Sequence, residues 1–151
     1  MTREEIYQDY LAIKDMNAPL NTKISFLTYL FSNQPNPWRV TGITREALTV
    51  FTSHGFKKVS RMGINRSHIE ARKDTYRELL ERDFNSIEEW WDYYFSRDMT
   101  ILSTSSENMS SRFSEIYPVD EILGLFRTKG YAWKHGKEEI EFLRNLAENI
   151  P

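Results

Sequence analysis

The sequence predicts an α+β fold, mostly helical and in a single domain, and three observations point that way. Apolar residues recur at helical spacing over much of the chain, most clearly at Ile87, Trp90, Trp91, Tyr94 and Phe95. Two stretches break that rhythm and read better as short strands: residues 56–69, which carry Val59, Met62, Ile64 and Ile69 around Gly63, and the run 99–102. Finally, 151 residues with 40% hydrophobic and 28% charged side chains can bury one core without disulfide or metal staples. A small β-hairpin packed on the aromatic-rich helix is the expected centre.

Each element has its own local reason. Thr2 and Glu5 stand at capping-box spacing, and Ile6, Tyr10 and Ile13 then share a helical face that should end before Pro19. Ile24, Leu27, Leu30 and Phe31 define a second helix, which makes 1–34 a helical hairpin. Residues 32–37 (SNQPNP) are turn chemistry, because proline removes a donor and biases the residue before it toward extended backbone. Thr44 can cap a third helix with Ala47, Leu48 and Phe51, stopped at His54-Gly55. A strand, a turn at Met62-Gly63 and a second strand ending near His68 follow. Residues 74–82 read as helix, and Ser86 with Glu89 repeats the capping box ahead of the aromatic helix. The run 99–102 then leads as a strand through serines into a short helix at Glu107 and Asn108. Pro118 and Asp120 introduce another short helix with Ile122, Leu123 and Phe126. After a loop at 129–136, Ile140, Leu143, Leu146, Ala147 and Ile150 close the chain as a helix, so 119–151 is a C-terminal helical region.

Composition excludes several function classes. The absence of cysteine removes disulfides, thiolate zinc sites and cysteine nucleophiles. No apolar run approaches the roughly 18 residues of a membrane span, and the polar, acidic start of the chain is unlike a signal peptide. A cytoplasmic protein without a membrane partner is the expectation. No phosphate-binding glycine loop, GxSxG elbow or HExxH motif occurs. His54 and His135 each precede a glycine, which suits helix ends and loops, and the aromatic cluster suits a core better than a base-stacking platform.

Charge supplies the functional lead. Residues 57–77 hold seven basic side chains against Glu70 and Asp74, a net +5 inside a chain whose total is −2, and His68 lies near the centre. Such a field attracts phosphate, and guanidinium forks fit phosphate oxygens. Lys57, Lys58, Arg61, Arg66, Arg72 and Lys73 are the candidate nucleic-acid contacts. Ordinary ion pairs with Glu70, Asp74, Glu78 and Glu81 are the competing explanation for Arg72, Lys73 and Arg77, which lie on or beside that helix.

Read together, GINRSHIEAR around His68 and DMTILSTSSENMSS ending at Asn108 resemble the HNH family of nucleases over residues 59–112. That family has a ββα-metal core with a histidine at the end of its first strand and an asparagine or histidine at the start of the following helix. The resemblance implies a ββα core at 56–112 with the 74–95 helices inserted between its strands. It implies an endonuclease whose general base is His68, with Asn108 as its catalytic partner. It also implies magnesium or manganese held by Glu107, Asn108 and Asp98, and nucleic acid, DNA before RNA, as partner. Imidazole suits deprotonation of water near neutral pH, and oxygen donors suit those metals. Ser67 stands where the family usually has a metal-ligating aspartate or histidine. A nucleic-acid-binding module without chemistry and a helical protein-interaction subunit are the alternatives, and a homodimer is left open.

Overall fold

Capping and periodicity place the helices. In a computed structural model that describes residues 1–34, 37–128 and 132–150, Arg3–Asp15 (α1) starts on a complete Thr2–Glu5 capping box. It packs against Leu20–Ser32 (α2), whose Ile24, Leu27, Leu30 and Phe31 are buried as their spacing predicts. The Arg72–Glu81 helix (α4) and the Ile87–Arg97 helix (α5) complete an all-helical core. Trp90 sits at its centre without solvent contact, its ring centroid 4.9 Å from that of Tyr7 and 5.1 Å from that of Tyr10. Phe31 stacks on Tyr94 at 3.9 Å.

A second core lies on the sheet. Four strands, Arg39–Thr44 (β1), Ile64–His68 (β2), Met99–Thr104 (β3) and Ile116–Pro118 (β4), are ordered β2-β3-β1-β4. The two central strands, β1 and β3, run parallel, while β2 pairs antiparallel with β3 and β4 antiparallel with β1. Val40, Ile43, Ile64 and Leu102 from this sheet meet Phe51 of Arg45–Ser53 (α3) and Leu143 of Lys137–Asn149 (α7). A short helix, Ser105–Ser110 (α6), follows β3 directly. Mixed sheet and helices therefore form the expected α+β class, and β2, β3 and α6 give the ββα order with α4 and α5 inserted between the strands.

Several local expectations shift. The first strand of the hairpin does not form: Phe56, Arg61 and Gly63 all take left-handed backbone, which no strand tolerates, and only 64–68 is extended. The α4 helix starts two residues earlier than its sequence pattern indicates, at Arg72. The short helix after Pro118 shrinks to a 3₁₀ turn, Glu121–Leu123, capped by the Asp120 side chain. The SNQPNP turn and the 129–136 loop fall partly outside the described residues. β1 and β4 have no counterpart in the sequence reading. In β1, Gly42 is required by close approach: a Cβ there would lie 2.6 Å from Ile116 Cγ2 and 3.3 Å from the Tyr117 carbonyl oxygen. Among the described residues no helix is long and apolar enough to cross a membrane.

Candidate functional site

The alternation of a strand explains where His68 lies. Ile64, Arg66 and His68 share one side of β2. Ile64 is buried with Leu102 in the sheet core, and two and four residues further on the same side opens into a cleft of about 960 Å³. Arg66, His68, Arg72 and Lys73 line it, together with Tyr29 of α2 and Asn108 of α6.

His68 has a buried acidic neighbour. Antiparallel pairing sets it opposite Thr100, beside the start of β3, so that Asp98 Oδ1 lies 3.8 Å from His68 Nε2. The two side chains are 14% and 4% exposed. Asp98 is held from several sides. Its Oδ2 accepts the Trp38 amide at 2.9 Å, and it hydrogen bonds Tyr94, whose hydroxyl also accepts Gln34 Nε2 at 3.1 Å. Burial first, and Asp98 second, push the Tyr94 phenol well above its ordinary pKa, so it stays protonated.

Trp38 closes the back of this arrangement. Its φ of 52° is left-handed, an unfavourable backbone for a bulky residue that persists only where neighbours hold it. Here Asp98 takes its amide, while its carbonyl accepts Thr100 Oγ1 at 2.9 Å and Arg66 Nη1 at 3.3 Å. The His68 ring meets Trp38 edge-on at 5.6 Å, and the Arg66 and Arg72 guanidiniums lie 5.5 Å and 5.2 Å from its ring centroid. Burial draws the Arg66 pKa down to about 10 against the attraction of Asp98, which leaves it a cation at neutral pH.

No family model, no curated protein and no solved structure matches this chain. The site therefore rests on its own geometry.

That geometry separates the predicted residues into three groups. His68, Asn108, Arg66, Arg72 and Lys73 share the large cleft; Asn108 is exposed and, among the described residues, makes no hydrogen bond to His68 or to any other side chain. Lys58 and Arg61 instead line a separate cavity of about 220 Å³, where Lys58 Nζ lies 4.3 Å over the Trp133 ring, and Lys57 lines neither space. Ion pairing claims Arg77, 3.3 Å from Asp74, whereas Lys73 has no acidic partner among the described residues.

The proposed metal ligands do not converge. Asp98 precedes β3 and the Glu107 carboxylate binds Thr104 at its far end, about 20 Å along the strand at roughly 3.4 Å per residue. Glu107 is also fully occupied. One oxygen accepts Thr44 Oγ1 at 2.7 Å and the Thr104 amide at 2.9 Å; the other accepts the Ser114 amide at 2.9 Å and Ser114 Oγ at 2.7 Å. Burial alone would raise its pKa, but these bonds outweigh it and bring the carboxyl down to about 2. Ser67, at the family's usual ligand position, is turned to Ser103 Oγ at 2.5 Å. Among the described residues no three histidine, aspartate or glutamate side chains group around a point that would hold a metal ion. Glu107, Asn108 and Asp98 are thus not brought together as one ligand set for magnesium or manganese.

Two contributors escaped the sequence reading. Asp98 lies beside His68, a long-range neighbour that only the register creates. The α2 wall was readable in principle: Ser25, Thr28, Tyr29 and Ser32 recur at helical spacing beside the buried apolar positions. His54 caps the C-terminus of α3, and His135 Nε2 lies 2.8 Å from the Phe56 carbonyl oxygen, both structural roles.

Proposed function

We propose that this chain is a nuclease that binds the phosphate backbone of nucleic acid in the large cleft and hydrolyses a phosphodiester with His68 as general base. The observation that carries the reading is a single one: the only histidine in the cleft among the described residues is backed by a buried carboxylate and flanked by Arg66, Arg72 and Lys73. Neutral imidazole accepts a proton from water as the water oxygen attacks phosphorus; the bond from phosphorus to the leaving oxygen breaks, and the imidazolium or solvent returns a proton to that oxygen. Asp98, 3.8 Å from Nε2 and without a hydrogen bond to it, favours the imidazolium through its charge, and the arginines offset charge that builds on the phosphoryl oxygens.

The test is cleavage of plasmid DNA, single-stranded DNA and RNA by purified protein, with magnesium, with manganese and with a chelator. Cleavage that His68→Ala abolishes, with binding retained, is expected. Absence of cleavage of every substrate under all three conditions would refute the reading. A second reading, binding without chemistry, is favoured by the scattered oxygen donors; salt-sensitive binding with no cleavage is its signature.

A further inference from the structure

We propose that the nucleic acid this cleft accepts is single-stranded, with unpaired bases stacked on Tyr29. The inference rests on the nucleic-acid reading above and concerns the wall of the cleft that reading leaves unused. Tyr29 is 72% exposed in the middle of a helix whose apolar residues on either side, Leu27 and Leu30, are buried. It contributes nothing to the core, yet it lines the same cleft as Arg66, Arg72 and Lys73. Ser25, Thr28 and Ser32 surround it with hydroxyls, and Phe113 adds a second, half-buried ring.

This pairing of walls matches the two faces of an unpaired strand. Cations on one side take phosphates, and an aromatic face on the other takes a base. A duplex keeps its bases stacked inside and offers a protein surface mainly its backbone, so it would engage the cations and leave the α2 wall idle. The charge balance favours the same choice. Binding to duplex without base readout depends on many phosphate contacts, whereas here three cations line the cleft of a chain whose net charge is −2. Three contacts on a single strand predict a slope of log K against log salt of about −2 (roughly 0.7 per phosphate).

Fluorescence anisotropy tests the inference. The full chain carrying His68→Ala, to suppress cleavage, is titrated into labelled oligothymidylate, oligouridylate and the oligothymidylate–oligoadenylate duplex. At least one single strand is expected to bind about tenfold or more tighter than the duplex. Adding Tyr29→Ala should weaken that binding roughly tenfold, within the range for loss of one stacked base, whereas Tyr29→Phe keeps it. Thermal melting should be the same for all three, since Tyr29 supports no packing. Duplex binding as tight as single-strand binding, or single-strand affinity indifferent to Tyr29→Ala, overturns the inference and leaves the nucleic-acid reading intact. Failure of every oligonucleotide to bind at low salt overturns both.

Discussion

Glu107→Gln is the substitution that most directly tests the reassignment of this residue from metal ligand to structural brace. The carboxylate joins the N-caps of two neighbouring helices, because Thr44 caps α3 and Thr104 caps α6 while both bond Glu107. Hydrogen bonds hold its carboxyl at about 2 in the fold, against an ordinary 4.5. At about 1.36 kcal/mol per unit this corresponds to about 3 kcal/mol of stability in the ionised protein. A depressed carboxyl stabilises fully above its unfolded pKa and loses that contribution as pH falls through the folded one. Urea unfolding of wild type and Glu107→Gln from pH 7 to pH 2 should therefore show a gap of about 3 kcal/mol at pH 7. Below about pH 4.5 the gap should close, and near pH 2 it should be mostly gone. A gap under about 1 kcal/mol at pH 7, or one independent of pH, would refute the brace. So would a melting temperature that rises with magnesium or manganese in wild type but not in the variant, since that is the signature of an ion at Glu107.

Three further outcomes follow from burial and geometry. Asp98→Asn removes the charge behind His68 while keeping an acceptor for the Trp38 amide, so cleavage should fall about 100-fold in kcat with KM little changed and the circular dichroism spectrum intact. Gly42→Val drives side-chain carbon into Ile116 and the β4 backbone, and should cost about 1–3 kcal/mol in urea unfolding. Trp90→Ala empties the centre of the helical core and should cost about 3–5 kcal/mol, enough to unfold a domain of ordinary stability at mild urea; Trp90→Phe should recover much of it.

What was legible in the sequence was what local chemistry decides. Thr2 with Glu5 and Ser86 with Glu89 place helix starts because a cap and its glutamate lie within one turn. The same logic applies at Thr104 and Glu107, where a glutamate in the first turn can complete a capping box as readily as it can ligate a metal. Only the arrival of Thr44 and Ser114 from elsewhere in the chain separates them. β1 hid because RVTGIT carries a mid-strand glycine and its partners, β3 and β4, are remote in sequence. The strand expected at 56–61 failed for the opposite reason: its β-branched and apolar residues are there, but left-handed turns at Phe56 and Arg61 override them. His68 and its basic neighbours were visible as charge, whereas the identity of its partner was not, since Asp98 reaches it through strand pairing.

That pairing also explains why the site sits where it does. One face of β2 serves both the core, at Ile64, and the cleft, at Arg66 and His68, because alternate residues point the same way. Ile64 enters the core beside Leu102, and the buried Ser67–Ser103 hydroxyl pair occupies the opposite side. A slip of one residue would exchange the two sides, moving Ile64 out of the core and Asn65 and Ser67 into it, an unfavourable trade of apolar for polar burial. The register is thus set by Ile64 and Leu102, at the end of β2 away from His68. Once set, it places His68 opposite Thr100 and within reach of Asp98, which Trp38 and Tyr94 hold from behind. His68 cannot leave its carboxylate by a register shift without withdrawing Ile64 from the core, so hydrophobic burial at one end of β2 orients the imidazole at the other.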